Sequence, residues 1–493
     1  MSPRRAASPR MLRALLPMLA LALAPGAARG EPGEPAAAGA PLALEAPASV
    51  GGLRVADVDG DGVHDLLALA GREVLVWPGA RGALPGAAPR PRLALPAGSS
   101  FVDVARGAPP GLLVLAAGAT LRVPLDGGPA QPVAGTQGLG WADGEKAVFT
   151  GLHPHPSAQE PAHLAPVSGG WGLVGPQGVT PLAAQPARLT TAPGPFLEDQ
   201  AVVTEGLPHV LALRARGTPP GEAPALWSLA GDELRRTQGT AAATWDLAFL
   251  PASGQRRLLD LDGDGVPEVL HGDGDNRELR LAFFRLPSAA RDAAGVPAPP
   301  PAGDLRPPFA FLKLSGFSLE PAFVDLDGDG RLDVVVTTME IDGPNVMRAL
   351  SSGRVTAKTR AFLQRATPEG LPSYPPQPDG LVESDVGVKI RFGYAGNLDV
   401  TRSFTLGLSG DLDGDGRKEL VIRTGPDRLA VRAGTATGVW AAQARALEIP
   451  ALAPGEELDL QAADLDGDGR DELVLHVHAA PGGRDRLLLR RGT

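Results

Sequence analysis

One acidic nonapeptide occurs five times in this chain of 493 residues, beginning at Asp57 (DVDGDGVHD), Asp260 (DLDGDGVPE), Asp325 (DLDGDGRLD), Asp411 (DLDGDGRKE) and Asp464 (DLDGDGRDE). Each copy reads D-x-D-G-D-G-x-x-[DE]. Four carboxylates within nine residues repel one another at neutral pH, so a hard divalent cation is the natural counter-charge. Ca2+ takes six to eight oxygens, and the odd positions of a tightly coiled loop point inward. Positions 1, 3, 5 and 9 then supply carboxylates and position 7 a main-chain carbonyl.

The spacing gives five expected ligand sets. They are Asp57, Asp59, Asp61, Val63 and Asp65; Asp260, Asp262, Asp264, Val266 and Glu268; Asp325, Asp327, Asp329, Arg331 and Asp333; Asp411, Asp413, Asp415, Arg417 and Glu419; and Asp464, Asp466, Asp468, Arg470 and Glu472. Indifference to the side chain at position 7, which is Val or Arg, is what a main-chain ligand predicts. Glycine at positions 4 and 6 allows a positive φ without steric cost. Mg2+ fits less well, because it keeps its waters and rarely sits in an all-protein cage. An EF-hand needs a bidentate Glu at loop position 12, where this chain has Ala68, His271, Val336, Ile422 and Leu475. The alternative is five acidic surface turns that hold no metal.

Each loop runs into a short apolar segment (LLALA, VVV, ELVI or ELVL), which reads as a buried strand. No long amphipathic helix is evident, turn signals recur throughout, and apolar residues make up 43%, enough for a large core. The fold class expected is all-β. Three worn copies keep the strand pattern but lose carboxylates, around Asp103, Trp141–Glu145 and Glu198–Asp199. Strong and worn copies together give eight units. In the first unit the strands are LRVAD, DLLALA, EVLVW and PRLAL, and four strands make one propeller blade. The segment PLALEA at 41–46 is placed to complete the last blade and close the ring, which protects sheet edges. An open β-solenoid is the alternative architecture.

The D-x-D-G-D-G-x-x-[DE] loop between two strands resembles the FG-GAP/VCBS repeat of integrin-α-like propellers and secreted bacterial proteins. Counting the worn units, the resemblance covers roughly residues 41–493. It implies a seven- or eight-bladed β-propeller with Ca2+, about five ions, in the loop joining the two inner strands of a blade. The motif is informative about fold and metal and nearly silent on function, because such blades serve adhesion modules, scaffolds and enzymes alike.

Residues 1–30 have the pattern of a secretory signal: Arg4, Arg5, Arg10 and Arg13, then an apolar stretch from Leu15 to Ala24, then small residues around Ala28-Arg29-Gly30. An uncleaved anchor is the alternative. Residues 31–40 read as a flexible N-terminal segment, and 41–493 as the propeller, with a Pro/Ala-rich loop at 287–308. The expected location is secreted or periplasmic. The chain has no Cys, so neither a disulfide nor a lipidated cysteine is available. Removing residues 1–30, with five Arg and no acid, takes the net charge from −10 to about −15, and five Ca2+ bring it back to about −5. So acidic a body argues against nucleic acid and anionic membranes as partners.

The expected partner is a protein or glycan ligand bound by a monomer. Residues 340–400 read as an insertion carrying Arg348, Arg354, Lys358, Arg360, Arg365, Lys389 and Arg391 with both tyrosines, Tyr374 and Tyr394. This basic, Tyr-bearing segment is either a ligand surface or packing over the propeller face. An adhesion or scaffold module is the leading functional class, with a calcium-dependent polysaccharide lyase as the alternative. No G-x-S-x-G, H-E-x-x-H or phosphate-binding loop occurs. His476 and His478 share a face of one strand, with no third ligand evident, and His153 and His155 form a HPHP loop. The six Trp are expected to pack blades rather than stack on sugars.

Overall fold

The computed structural model describes residues 41–133, 148–149, 163–286 and 308–492, less short stretches within them, of which 214–224 is the longest; between 163 and 208 it describes backbone only. The expected signal at 1–30, the segment 31–40 and the core of the 287–308 loop lie outside the described residues.

Seven small antiparallel sheets ring an axis as a seven-bladed β-propeller. Blade 1 is Gly52–Ala56, Asp65–Ala70, Glu73–Trp77 and Arg92–Ala94, which are the four strands expected for the first unit. Blade 2 is Phe101–Ala105, Gly111–Ala116, Ala119–Pro124 and Gln131–Pro132, with Val148–Phe149 running parallel to its first strand. Blade 3 runs from His209–Leu213 to Ala241–Asp246, and blade 4 from Gln255–Leu259 to Ala310–Ser315. Blade 5 is built on Asp333–Met339, and blade 6 spans Leu408–Gly410 to Arg445–Glu448. Blade 7 is Glu457–Ala463, Glu472–His478 and Arg486–Arg490, and its outermost strand is Leu42–Leu44 from the other end of the chain. The ring therefore closes as the 41–46 segment predicts.

Blade count is where the eight units contract to seven. The worn unit at Asp103 is a full blade. The one at Trp141–Glu145 lies outside the described residues. The one at Glu198–Asp199 lies outside the described residues, between the strands of a two-stranded hairpin, Arg188–Pro193 with Gln200–Glu205, that pairs with no blade among the described residues. A three-stranded sheet, His163–Val167 to Gly178–Ala183, precedes it.

The apolar runs are continuous because the second strand of a blade is buried on both faces. In Asp65–Ala70, Leu66 and Ala68 pack toward blade 7 with Val474, Leu487 and Leu489, while Leu67 and Leu69 pack toward blade 2 with Val102, Leu112 and Val114. Trp77, Trp227 and Trp245 are buried, and the last two stack with centroids 5.3 Å apart. These Trp are core residues, as expected.

Residues 340–400 are not a separable insertion. Arg354–Phe362 pairs with Asp333–Met339 as the third strand of blade 5, and Gly380–Phe392 pairs with Arg354–Phe362 as the fourth. Only the helix Gly343–Ser352 lies between the second and third strands. Ala357, Ala361 and Phe362 are buried, so the segment is needed for the core.

Candidate metal centre

Each acidic loop joins the first and second strands of a blade, and position 9 is the first residue of the second strand: Asp65, Glu268, Asp333, Glu419 and Glu472. All ten glycines at positions 4 and 6 have positive φ, from 68° at Gly467 to 86° at Gly62. The loop needs glycine at both turns for that reason.

The backbone then holds the carboxylates in one frame. The position-6 N–H donates to the position-1 carboxylate in every loop: Gly62 to Asp57, Gly265 to Asp260, Gly330 to Asp325, Gly416 to Asp411 and Gly469 to Asp464, at 2.9–3.3 Å. The position-5 N–H donates to Oδ1 of position 3, at 3.1–3.2 Å. The position-7 N–H donates to Oδ1 of position 5, at 2.7–2.9 Å. The position-2 N–H donates to the position-9 carboxylate, from Leu412 to Glu419 at 2.6 Å up to Leu261 to Glu268 at 3.0 Å. At positions 3 and 5 Oδ1 is tied down in this way, leaving Oδ2.

The carboxylates converge as a result. In blade 1 one carboxylate oxygen from each of Asp57, Asp59 and Asp61 lies within 4.8 Å of the others. The same holds for Asp260, Asp262 and Glu268 in blade 4, for Asp325, Asp327 and Asp333 in blade 5, and for Asp411, Asp413 and Glu419 in blade 6. Position 5 stands outside these last three sets, and there it meets cations of the chain. Asp264 pairs with Arg285 at 3.2 Å, Asp329 with Arg331 at 3.4 Å, and Asp415 with Arg417. In blade 7, Arg491 reaches Asp466 at 3.0 Å. The arginines at position 7 are therefore less indifferent than the sequence pattern implies. Two of them screen the carboxylate two residues earlier.

Charge in these loops is held at a cost. All five position-9 acids are buried, at 1–3% exposure. Burial pushes Asp65 up to about 6, Glu419 to about 7, Asp333 to about 8 and Glu472 to about 8, with the neighbouring loop aspartates adding to the shift. Burial also raises Glu268 well above the ordinary carboxylate range, and lifts Asp260 at position 1 to about 7. A hard cation among the carboxylates relieves both the repulsion and the burial cost. An all-oxygen set of converging carboxylates with a free carbonyl at position 7 fits Ca2+.

A second clasp on position 9 has no signature in the motif. The N–H two residues beyond the end of the third strand donates to the other oxygen: Gly79 to Asp65 at 2.9 Å, Gln364 to Asp333 at 2.8 Å and Gly434 to Glu419 at 3.1 Å. A Cβ on Gly79 would stand 2.2 Å from the His64 carbonyl, and one on Gly434 would stand 2.6 Å from the Arg417 Cβ. Gly492 holds the same offset after Arg486–Arg490, and a Cβ there would meet the Leu412 carbonyl at 2.2 Å. Glycine two residues after the third strand marks this clasp in blades 1 and 6 but not in blade 5, where Gln364 holds the place, and it needs the blade register to be recognised.

The five loops sit on consecutive blades, 4, 5, 6, 7 and 1, and they touch. Leu332 N–H donates to the Leu261 carbonyl at 2.9 Å, Lys418 to Leu326 at 2.8 Å, Asp471 to Asp411 at 2.6 Å, and Gly82 to Asp466 at 2.6 Å. The acidic loops thus form one arc on one face of the ring. The worn unit of blade 2 differs: Asp103 lies within a strand, buried, with Arg54 at 3.9 Å.

Among the described residues, the cations of segment 340–400 are largely paired with acids of the chain. Arg348 pairs with Asp385 at 2.7 Å, Lys358 with Glu340 at 2.6 Å, and Arg365 with Asp379. Tyr374 is buried against Phe283, ring centroids 5.0 Å apart, and its hydroxyl donates to the Leu332 carbonyl at 2.7 Å. It packs the core rather than contacting a ligand, and it is not placed to act as a lyase base. Tyr394 and the side chains of Lys389 and Arg391 lie outside the described residues.

The loop geometry has a counterpart among known families. Residues 411–475 match the FG-GAP-like repeat. That stretch contains the loops of blades 6 and 7 and the strands between them. No curated protein matches the chain. Among solved structures, the chain is similar to the V. cholerae biofilm matrix protein Bap1, at 12% identity over 92% of this chain and 88% of that one, with a TM-score of 0.29. No helix among the described residues is long and apolar enough to cross a membrane.

Proposed function

We propose that this protein is an exported, calcium-binding β-propeller that serves as a binding, adhesion or scaffold module for a protein or glycan ligand. The observation that carries the calcium reading is the identical hydrogen-bonded frame of the five loops. In blades 1, 4, 5 and 6 it leaves carboxylate oxygens of positions 1, 3 and 5 or 9 within 4.8 Å of one another. Positions 1, 3, 5 and 9 and the position-7 carbonyl would hold the ion. Bound Ca2+ supplies positive charge that lets buried carboxylates remain ionised. The propeller supplies the rest: a rigid disc whose loops can present a ligand surface. Export is supported by the N-terminal sequence pattern and by the calcium that extracellular modules encounter, since such modules bind with Kd of about 10⁻⁴–10⁻³ M.

Calorimetric titration of calcium-stripped protein tests the metal, with about five ions taken up per chain expected. The ligand is tested by passing envelope proteins and glycans over the immobilised chain with and without Ca2+. Retention that requires Ca2+ supports the module reading. Absence of calcium uptake would make the loops ordinary acidic turns and remove the basis for it.

A further inference from the structure

Blade 7 carries a second cluster of ligating side chains, at the end of its strands remote from the acidic loop. Asp459 and His476 are directly opposed on neighbouring strands, and His478 comes next on the same face of the second strand. That face packs toward blade 1, since Val474 and Ala463, which share it, lie in the core between blades 7 and 1. From Glu472, which begins the strand at the acidic loop, to His478 is about 20 Å at the usual rise per residue. The cluster is therefore separate from the proposed calcium arc.

The geometry has three parts. The His476 and His478 rings lie against each other, tilted by 41°, with centroids 3.8 Å apart. His478 Nε2 lies 2.8 Å from Asp459 Oδ2, and one donor atom from each of Asp459, His476 and His478 falls within 4.8 Å of the other two. His476 is 2% exposed, and its Nε2 makes no hydrogen bond. Its nearest carboxylate oxygen, Asp485 Oδ2, is 3.5 Å away, and Asp485 is fixed by the N–H groups of Val50 and Ala479 at 2.7 and 2.9 Å. A buried imidazole nitrogen without a hydrogen bond is costly. An ion beside it removes that cost.

We propose that Asp459, His476 and His478 form a site for a transition-metal ion of the zinc class. Two imidazoles and a carboxylate select zinc or its neighbours in the first row over calcium, which takes oxygen donors. Donors at about 2.05 Å from a tetrahedral ion stand about 3.3 Å from one another. Asp485 Oδ2, 3.5 Å from His476 Nε2, is not among the donors that converge with Asp459 and His478, so the three-residue set leaves the fourth position open. The His478–Asp459 pair, at 2.8 Å, opens by about half an ångström to admit it. The competing account is a His–Asp hydrogen bond that simply clasps two strands.

The test is titration of the full exported chain, without a histidine tag and saturated with Ca2+, with Zn2+ and with Co2+, whose absorption reports nitrogen and oxygen donors. One ion per chain is expected. His478→Gln and Asp459→Asn should each weaken it at least about tenfold, with calcium uptake and the circular dichroism unchanged. No zinc or cobalt uptake by the unaltered chain overturns the proposal. So does uptake that survives both variants, because it would belong to other histidines among the eight, such as His153 and His155. If either variant fails to fold, the cobalt spectrum of the unaltered chain decides: bands without imidazole character refute the site.

Discussion

Calcium should stabilise this propeller far more at pH 8 than at pH 5. In the metal-free fold, the position-9 acids have pKa values raised from 3.8 or 4.5 to about 6 at Asp65, about 7 at Glu419 and about 8 at Asp333 and Glu472. A raised folded-state value contributes stability that is fully present below the unfolded value, near pH 4. That contribution is lost as pH rises through the folded values, from about 6 to about 8. The metal-free chain is thus penalised at pH 8, where these buried acids must ionise. Calcium reverses the penalty, and at pH 5 it must first displace the protons. At ten times Kd each site contributes about 1.4 kcal/mol, or about 7 kcal/mol for five. With an unfolding entropy of about 2.1 cal/mol/K per residue, a chain of 493 residues has about 1 kcal/mol/K, so the midpoint should rise by about 7 °C at pH 8. At pH 5, competition weakens the Asp65 site about tenfold and the Asp333 and Glu472 sites about a thousandfold, leaving about 0.5 °C. Differential scanning calorimetry of calcium-stripped protein, with and without added Ca2+ at each pH, measures both. Equal shifts at the two pH values, or no shift at pH 8, would refute the reasoning.

Asp327→Asn should weaken its own site at least tenfold. It should also change the affinities of blades 4 and 6 by about 0.5–1 kcal/mol, because Leu332 and Lys418 tie these loops together; site-resolved calcium titration would show this, and strict independence would contradict it. Asp103→Asn should leave the calcium stoichiometry unchanged, since Asp103 lies in a strand and not in a loop. Gly79→Ala and Gly434→Ala should each destabilise the fold by about 1–3 kcal/mol in denaturant melts and impair one calcium site, because the added Cβ collides at 2.2 and 2.6 Å. Tyr374→Phe should cost about 1–3 kcal/mol in the same melts, since the hydroxyl serves the buried Leu332 carbonyl.

Much of the fold was legible because the motif couples two requirements. Glycines at positions 4 and 6 demand positive φ, and position 9 must begin a strand buried on both faces, so LLALA and ELVL identify themselves as second strands of blades. Strand 41–46 was legible from its alternation and from the need to close a ring. The blade count was not, because the worn units lack the carboxylates that mark a blade's start, and a hairpin at Arg188–Glu205 carries the same local pattern as a blade. Residues 340–400 misled for a physical reason. In Arg354–Phe362 the small residues Ala357 and Ala361 are buried, and Lys358 and Arg360 alternate with them on the other face. Such a strand reads as basic and polar until its acidic partners, Glu340 and Glu383, are brought beside it by pairing. The pattern pointed to positions 1, 3, 5 and 9 together; the structure brings positions 1, 3 and 9 together in blades 4, 5 and 6 and positions 1, 3 and 5 in blade 1. The arginines facing position 5 and the backbone clasp of Gly79 and Gly434 were not legible, because both depend on residues 2 to 21 positions away that only the register aligns.

The order of the five loops around the ring ties the site to the fold. Three residue pairs, Leu42 with Leu489, Ala43 with Leu488 and Leu44 with Leu487, close the propeller where its two chain ends meet. With no cysteine in the chain, no disulfide can reinforce that seam. The acidic arc crosses it: the Gly82 N–H donates to the Asp466 carbonyl, and Gly467 packs against Val63 and Arg81. A Cβ on Gly467 would approach Val63 to 3.2 Å, so the loops of blades 7 and 1 are in close contact. At the other end of blade 7, Asp485 accepts the Val50 N–H and draws the segment entering blade 1 onto blade 7. Cations held by the arc would therefore act across the seam, where the ring is closed by strand pairing and not by continuous chain.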